Sequence, residues 1–185
     1  KNYKLALKIN PKSAKAYNNL GNVLKDQGDY IEAIKNYQTS IRLQPNLPET
    51  YNNIGNALNE LNKIDDAIVA YEKAIELNPK YFESLNNLAN ACSKKGDLEN
   101  AIKYYQKSYD INNNFSTTLA SLIFHKMKIS DWSAITNFKD TKNSLGTKDE
   151  TVMPFYTLVM EDSPKNQMLR SLNYSKQKLE KFNKK

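Results

Sequence analysis

Asparagines recur in a fixed spacing along this chain: Asn18, Asn19 and Asn22, then Asn52, Asn53 and Asn56, then Asn86, Asn87 and Asn90. A carboxamide carries one carbonyl acceptor and two N–H donors, and it neither attacks nor titrates near neutral pH. The chemistry open to such rows is therefore hydrogen bonding. Donor and acceptor together match the N–H and C=O of an extended polypeptide backbone, which suits peptide capture regardless of the peptide's sequence. The same side chains serve equally to brace neighbouring helices, because buried amides must find partners. Both roles stand at this point.

The residues that could make or break bonds are few. His125 is the only histidine, and with no Cys/His cluster beside it a zinc site cannot form, so packing or solvent contact on a predicted helix is its expected role. Cys92, the only cysteine, occupies the place of Leu24 and Leu58 in a repeated pattern and reads as a small core residue, not a reactive thiol. A single cysteine also excludes an internal disulfide framework. There is no glycine-rich phosphate loop. No catalytic residue, metal or cofactor is expected, and the chain reads as non-enzymatic.

The elements that position the asparagines follow from a 34-residue self-similarity covering three ungapped units, 14–47, 48–81 and 82–115. They open with YNNLGNVL from Tyr17, YNNIGNAL from Tyr51 and LNNLANAC from Leu85, and continue through AIKNY, AIVAY and AIKYY. Tyr17, Leu20, Gly21 and Leu24 correspond to Tyr51, Ile54, Gly55 and Leu58, and to Leu85, Leu88, Ala89 and Cys92. Offsets of three, four and seven put these on one stripe of a helix, with the asparagines roughly opposite. Gly21, Gly55 and Ala89, and Ala33, Ala67 and Ala101 on a second helix, remove bulk where helices must close up. Gly28, Asn62 and Gly96 supply left-handed turns between the helices, and Pro11, Pro45 and Pro79 close each unit. Tyr37, Tyr71 and Tyr105 fall at helix–helix positions, which leaves little for base stacking.

The units resemble tetratricopeptide repeats, which implies an all-α, right-handed superhelical solenoid of antiparallel helix pairs with a divergent helical C-terminal cap. Residues 1–115 then form the solenoid, beginning with a half repeat at 1–13 in which Tyr3, Ala6 and Ile9 take the places of Tyr37, Ser40 and Leu43. Residues 116–145 read as a divergent capping helix pair, with Leu119, Leu122 and Trp132 keeping the register, and 146–185 as a joining segment and an amphipathic helix. In such solenoids the asparagine rows face the concave surface, where a polypeptide ligand is the expected partner. Repeats that clamp a partner's C-terminal carboxylate carry lysine where Asn18, Asn52 and Asn86 stand here, so that clamp is not expected.

Charge is unevenly spread. Residues 1–163 hold 20 basic and 19 acidic side chains, whereas Lys165, Arg170, Lys176, Lys178, Lys181, Lys184 and Lys185 oppose only Glu180. The basic tail reads as a solvated helix face, and no specific nucleic-acid partner is expected. No run approaches the roughly 18 apolar residues of a membrane span. Cytoplasmic residence is the default expectation; the chain starts mid-pattern, which leaves an upstream targeting segment open.

From Asp131 onward the chain also resembles the bacterial relatives of the O-linked N-acetylglucosamine transferase, in which such repeats precede a nucleotide-sugar glycosyltransferase. The carrying residues are Asp131, Trp132, Pro154, Phe155, Leu158, Asp162, Pro164, Gln167 and Tyr174. The resemblance implies that Asn19, Asn53 and Asn87 form an asparagine ladder gripping the backbone of a protein substrate. It carries over no catalytic residue, because those belong to lobes not present in this sequence.

Overall fold

Each 34-residue unit opens on a helix. The computed structural model describes residues 7–113 and 116–129. Among these residues seven helices follow in order: α1 (Ala14–Asp26), α2 (Tyr30–Leu43), α3 (Pro48–Glu60), α4 (Ile64–Leu77), α5 (Phe82–Lys94), α6 (Leu98–Ile111) and α7 (Ser116–Lys128). Residues 7–9 are helical as well, in keeping with a half repeat, and no strand occurs among the described residues. The chain divides after Tyr104 into two compact units. Trp132, the remainder of the expected capping pair and all of 146–185 lie outside the described residues.

The turns inside each pair are built by one device. At the end of α1 the Asp29 N–H donates to the Leu24 carbonyl at 2.9 Å and the Gly28 N–H to the Lys25 carbonyl at 2.9 Å. This double closure requires the residue after the cap to be left-handed. Gly28 has φ 84°, Gly96 has φ 83°, and Asn62 has φ 58°, the one non-glycine residue with positive φ among those described. The same two bonds recur from Lys63 to Leu58 and Asn62 to Asn59, and from Asp97 to Cys92 and Gly96 to Ser93. The residue that closes the first helix then caps the second. Asp29 Oδ1 accepts the Glu32 N–H at 3.2 Å and Asp97 Oδ1 accepts that of Asn100 at 3.2 Å. Lys63 holds a similar backbone conformation without a side-chain cap.

Within the first unit α1 pairs with α2 and α3 with α4, while α2 also packs on α3 and α4 on α5. Each second helix is thus shared by two first helices, so apolar surface is buried mainly against neighbouring repeats. Ala33, Tyr37, Ile54, Ala57 and Ala70 form a continuous core, flanked by Leu24, Tyr30, Ile34, Ile41 and Leu58. Ala33 and Ala67 are fully buried, as their small size at a close helix crossing requires.

The tightest contact is tyrosine on glycine. A Cβ placed on Gly21 would stand 2.5 Å from Tyr37 Cε1, and one on Gly55 would stand 2.5 Å from Tyr71 Cε1. The phenol rings occupy the space a side chain would need. Tyr37 is 0% and Tyr71 2% exposed, so neither ring can swing aside into solvent.

In the second unit α7 buries Leu119, Ala120, Leu122 and Ile123, together with Thr118 and His125. No helix among the described residues is long and apolar enough to cross a membrane.

Two stability changes follow. Gly55→Ala should cost about 1–3 kcal/mol or more by overpacking against Tyr71, read as a lowered urea midpoint; an unchanged midpoint would contradict the packing described. Lys63→Asp should add about 1 kcal/mol by supplying the missing cap, and Asp29→Ala should remove a similar amount in the same assay.

Candidate polypeptide-binding face

The asparagine rows do not behave alike. Asn18 Oδ1 accepts from Thr50 Oγ1 at 3.1 Å and from Asn53 Nδ2 at 3.2 Å. One repeat later Asn52 Oδ1 accepts from Ser84 Oγ at 2.9 Å and Asn87 Nδ2 at 3.0 Å. In each case the first helix of one repeat accepts both hydrogens from the first helix of the next. Asn52 is 5% exposed and Ser84 is fully buried, so this is an inter-repeat brace. The expectation that Asn52 lies on an open face is corrected by this burial. A helical wheel places the residue opposite its own partner helix but does not show that the next first helix covers it.

Asn22 and Asn56 form a second, intra-repeat bond. Tyr37 Oη donates to Asn22 Oδ1 at 2.7 Å, and Tyr71 Oη to Asn56 Oδ1 at 2.9 Å. Each ring therefore lies on a glycine and ends on the asparagine that follows it. Burial, with a contribution from Asp26 for Tyr37 and Glu60 for Tyr71, raises both phenol pKa values and keeps these donors protonated. Asn56 Oδ1 takes a further hydrogen from Asn87 Nδ2 at 3.1 Å.

Part of the rows is not spent on these bonds. Asn19 is half-buried and makes no hydrogen bond among the described residues, so its whole carboxamide is open. Asn53 and Asn87 spend their Nδ2 groups on the brace and keep their Oδ1 carbonyls, while Asn22 and Asn56 keep Nδ2. Asn86 is half-buried and Asn90 exposed, and both hold other interactions. Asn18 and Asn19, with Lys15 and Glu49, line a cleft of about 330 Å³. Asn56, Asn87 and Asn90, with Lys25 and Glu60, line another of about 420 Å³. Asn22 and Asn53 line neither.

The hydroxyls of Thr50 and Ser84 were not anticipated as part of this face. Their signal is nevertheless periodic, since Thr50, Ser84 and Thr118 recur at 34-residue intervals.

The other candidates are packed groups. Cys92 is buried, and burial, followed by Asp97 and Glu72, raises its thiol pKa, the opposite of activation. His125 Nδ1 lies 2.7 Å from the Ser121 carbonyl, and its ring sits 5.1 Å from that of Tyr105. Burial lowers its pKa and favours the neutral imidazole. No group of metal-ligating side chains occurs among the described residues.

Residues 12–80 match a tetratricopeptide-repeat family profile and residues 70–103 match a second. Among solved structures, one of MamA aligns with a TM-score of 0.67 at 26% identity, covering 74% of this chain and 81% of that one. A second MamA structure aligns with 0.67 at 24%, covering 82% and 85%. The first such repeat domain of Spaghetti (RPAP3), bound to the HSP90 peptide SRMEEVD, aligns with 0.62 at 24%, covering 64% and 94%. No curated protein sequence matches the chain. The family matches end at Lys103, and the segment from Asp131 to Tyr174 lies outside both them and the described residues.

The two kinds of asparagine separate by substitution. Asn52→Ala should cost about 1–3 kcal/mol by leaving the buried Ser84 hydroxyl without its acceptor. Asn19→Ala should stay within about 0.5 kcal/mol of wild type. Chemical denaturation checks both.

Proposed function

We propose, from the premise that residues 12–103 are an array of tetratricopeptide repeats, that the chain is a non-enzymatic scaffold holding an extended polypeptide along its asparagine face. The observation that carries this reading is the leftover hydrogen-bonding capacity of the ladder: the open carboxamide of Asn19 and the unused carbonyls of Asn53 and Asn87. Asn53 and Asn87 are fixed in place by the braces their Nδ2 groups make, so little ordering entropy is lost at these two when a backbone binds. The RPAP3 domain of similar fold holds a peptide, which supports polypeptide as the ligand class. Capture by the backbone fits better than a carboxylate clamp, because Asn18 and Asn52 stand at the clamp's lysine places and are spent on the brace.

The test is a peptide array probed with the full chain at low and physiological salt. Binding of extended peptides should tolerate salt, since no ion pair dominates. Asn19→Ala should weaken binding about fivefold, the worth of roughly one hydrogen bond, with an unchanged melting temperature. Adding Asn53→Ala and Asn87→Ala should abolish it. Absence of wild-type binding, or full binding by Asn19→Ala, would refute the reading.

A second reading makes this face the substrate-recognition portion of a protein O-glycosyltransferase. It is favoured by the spaced residues from Asp131 through Pro154 and Phe155 to Tyr174 in the sequence. Reading the coding sequence beyond Lys185 tests it: nucleotide-sugar lobes are expected, and their absence would remove it.

A further inference from the structure

A depression larger than either cleft of the asparagine face lies on the other side of α3. Between α2 and α4, over α3, lies a cleft of about 650 Å³ whose apolar floor includes Ile41, Ile54 and Leu58. Tyr51, Ile54 and Leu58 line it from α3. At about 100° per residue these lie roughly 180° around the helix from Asn52, Asn53 and Asn56. The cleft is thus separate from the asparagine face.

The lining differs in sequence from the corresponding places of the neighbouring repeats. Val69, 65% exposed, forms one wall, and the small Ala70 beside it opens the space. At the corresponding places 34 residues away the chain has Lys35 and Asn36 on one side and Lys103 and Tyr104 on the other. The apolar, small-residue wall is therefore not common to every repeat, since the neighbouring sequences place polar or bulkier side chains there. An exposed valine there adds nothing to the core and leaves apolar surface in water.

The rim is also distinct in charge. It carries Asp66, Glu72, Lys73 and Glu76, whereas the corresponding sets, Glu32, Gln38, Thr39 and Arg42, and Asn100, Gln106, Lys107 and Asp110, each sum to zero. Lys73 Nζ is tied to Glu76 at 2.8 Å. Asp66 and Glu72 have no ion-pair partner among the described residues. An apolar floor with two uncompensated carboxylates on its edge favours an occupant with an apolar stripe and basic flanks.

We propose that this cleft is a docking site for a basic amphipathic helix of a partner protein. Its volume falls within the range that buries a few large side chains, and an apolar groove framed by two helices suits anchors spaced three and four residues apart. Lysine or arginine beside the anchors would reach Asp66 and Glu72. This site is independent of the polypeptide reading of the asparagine face, so either can fail alone.

The test uses the full chain and two synthetic helical peptides of about 16 residues. Both have leucine on one face, with lysine on the remainder of one and glutamate on the other. Fluorescence anisotropy should show micromolar binding of the lysine peptide and at least tenfold weaker binding of the glutamate peptide. Val69→Lys, which imports the neighbouring repeats' residue at an exposed place, should weaken binding tenfold or more without lowering the melting temperature. Asp66→Asn with Glu72→Gln should weaken it several-fold and flatten its salt dependence. Asn19→Ala should leave it unchanged. Failure of the lysine peptide to bind, equal binding by Val69→Lys, or equal binding of the glutamate peptide would overturn the proposal.

Discussion

At the two junctions between first helices within the first unit, the repeat stack depends on one side-chain carbonyl each, that of the half-buried Asn18 and that of the buried Asn52. A stack of helix pairs has no long-range sheet ladder to fix its register, so neighbouring pairs could slide on apolar surface alone. The Asn52 carbonyl removes that freedom. It accepts from Ser84 and Asn87 at once, and a mis-stacked repeat would leave these groups buried without partners. Tyrosine fixes the other dimension: Tyr71 lies on Gly55, which sets how close the two helices of a pair come, and its hydroxyl on Asn56 sets where along the axis they meet.

The proposed polypeptide binding draws on the same bonds. An asparagine has more hydrogen-bonding capacity than one brace consumes, so a ladder built to hold repeats in register presents its surplus outward in a fixed spacing. Asn87 spends both its donated hydrogens inward and keeps its carbonyl, while Asn19 spends nothing. A partner's backbone would meet groups already oriented. The polarity of this face and the apolar, acid-rimmed cleft around Val69 are set by different sides of α3. Two partners of unlike chemistry could therefore occupy one repeat.

Much of the fold was legible in the sequence because its signals are periodic. The helix starts at Ala14, Pro48 and Phe82, the left-handed residues Gly28, Asn62 and Gly96, and the small residues facing Tyr37 and Tyr71 each recur every 34 places. The division of labour among the asparagines was not legible. A helical wheel gives the direction of a side chain relative to its own helix, whereas Asn52 is buried by the following repeat through an axial offset that no single helix encodes. Thr50 and Ser84 were overlooked for a related reason: they precede the conspicuous YNN and LNN runs and mean nothing until the preceding repeat's carbonyl is placed beside them. The Val69 cleft, conversely, arises where the repeats differ, and a search for similarity passes over differences. The readings placed on 130–185 fall outside the described residues, and the repeats do not determine them.

The most direct measurement is a double-mutant cycle on Asn52→Ala and Ser84→Ala, with unfolding free energies from urea titration of the full chain. If the Asn52 carbonyl is the acceptor that registers one repeat on the next, the two changes should couple by about 0.5–3 kcal/mol, with the double variant less damaged than the sum of the singles. Additive effects, agreeing within about 0.3–0.5 kcal/mol, would mean that the bond does not hold the junction and that packing alone sets the stack.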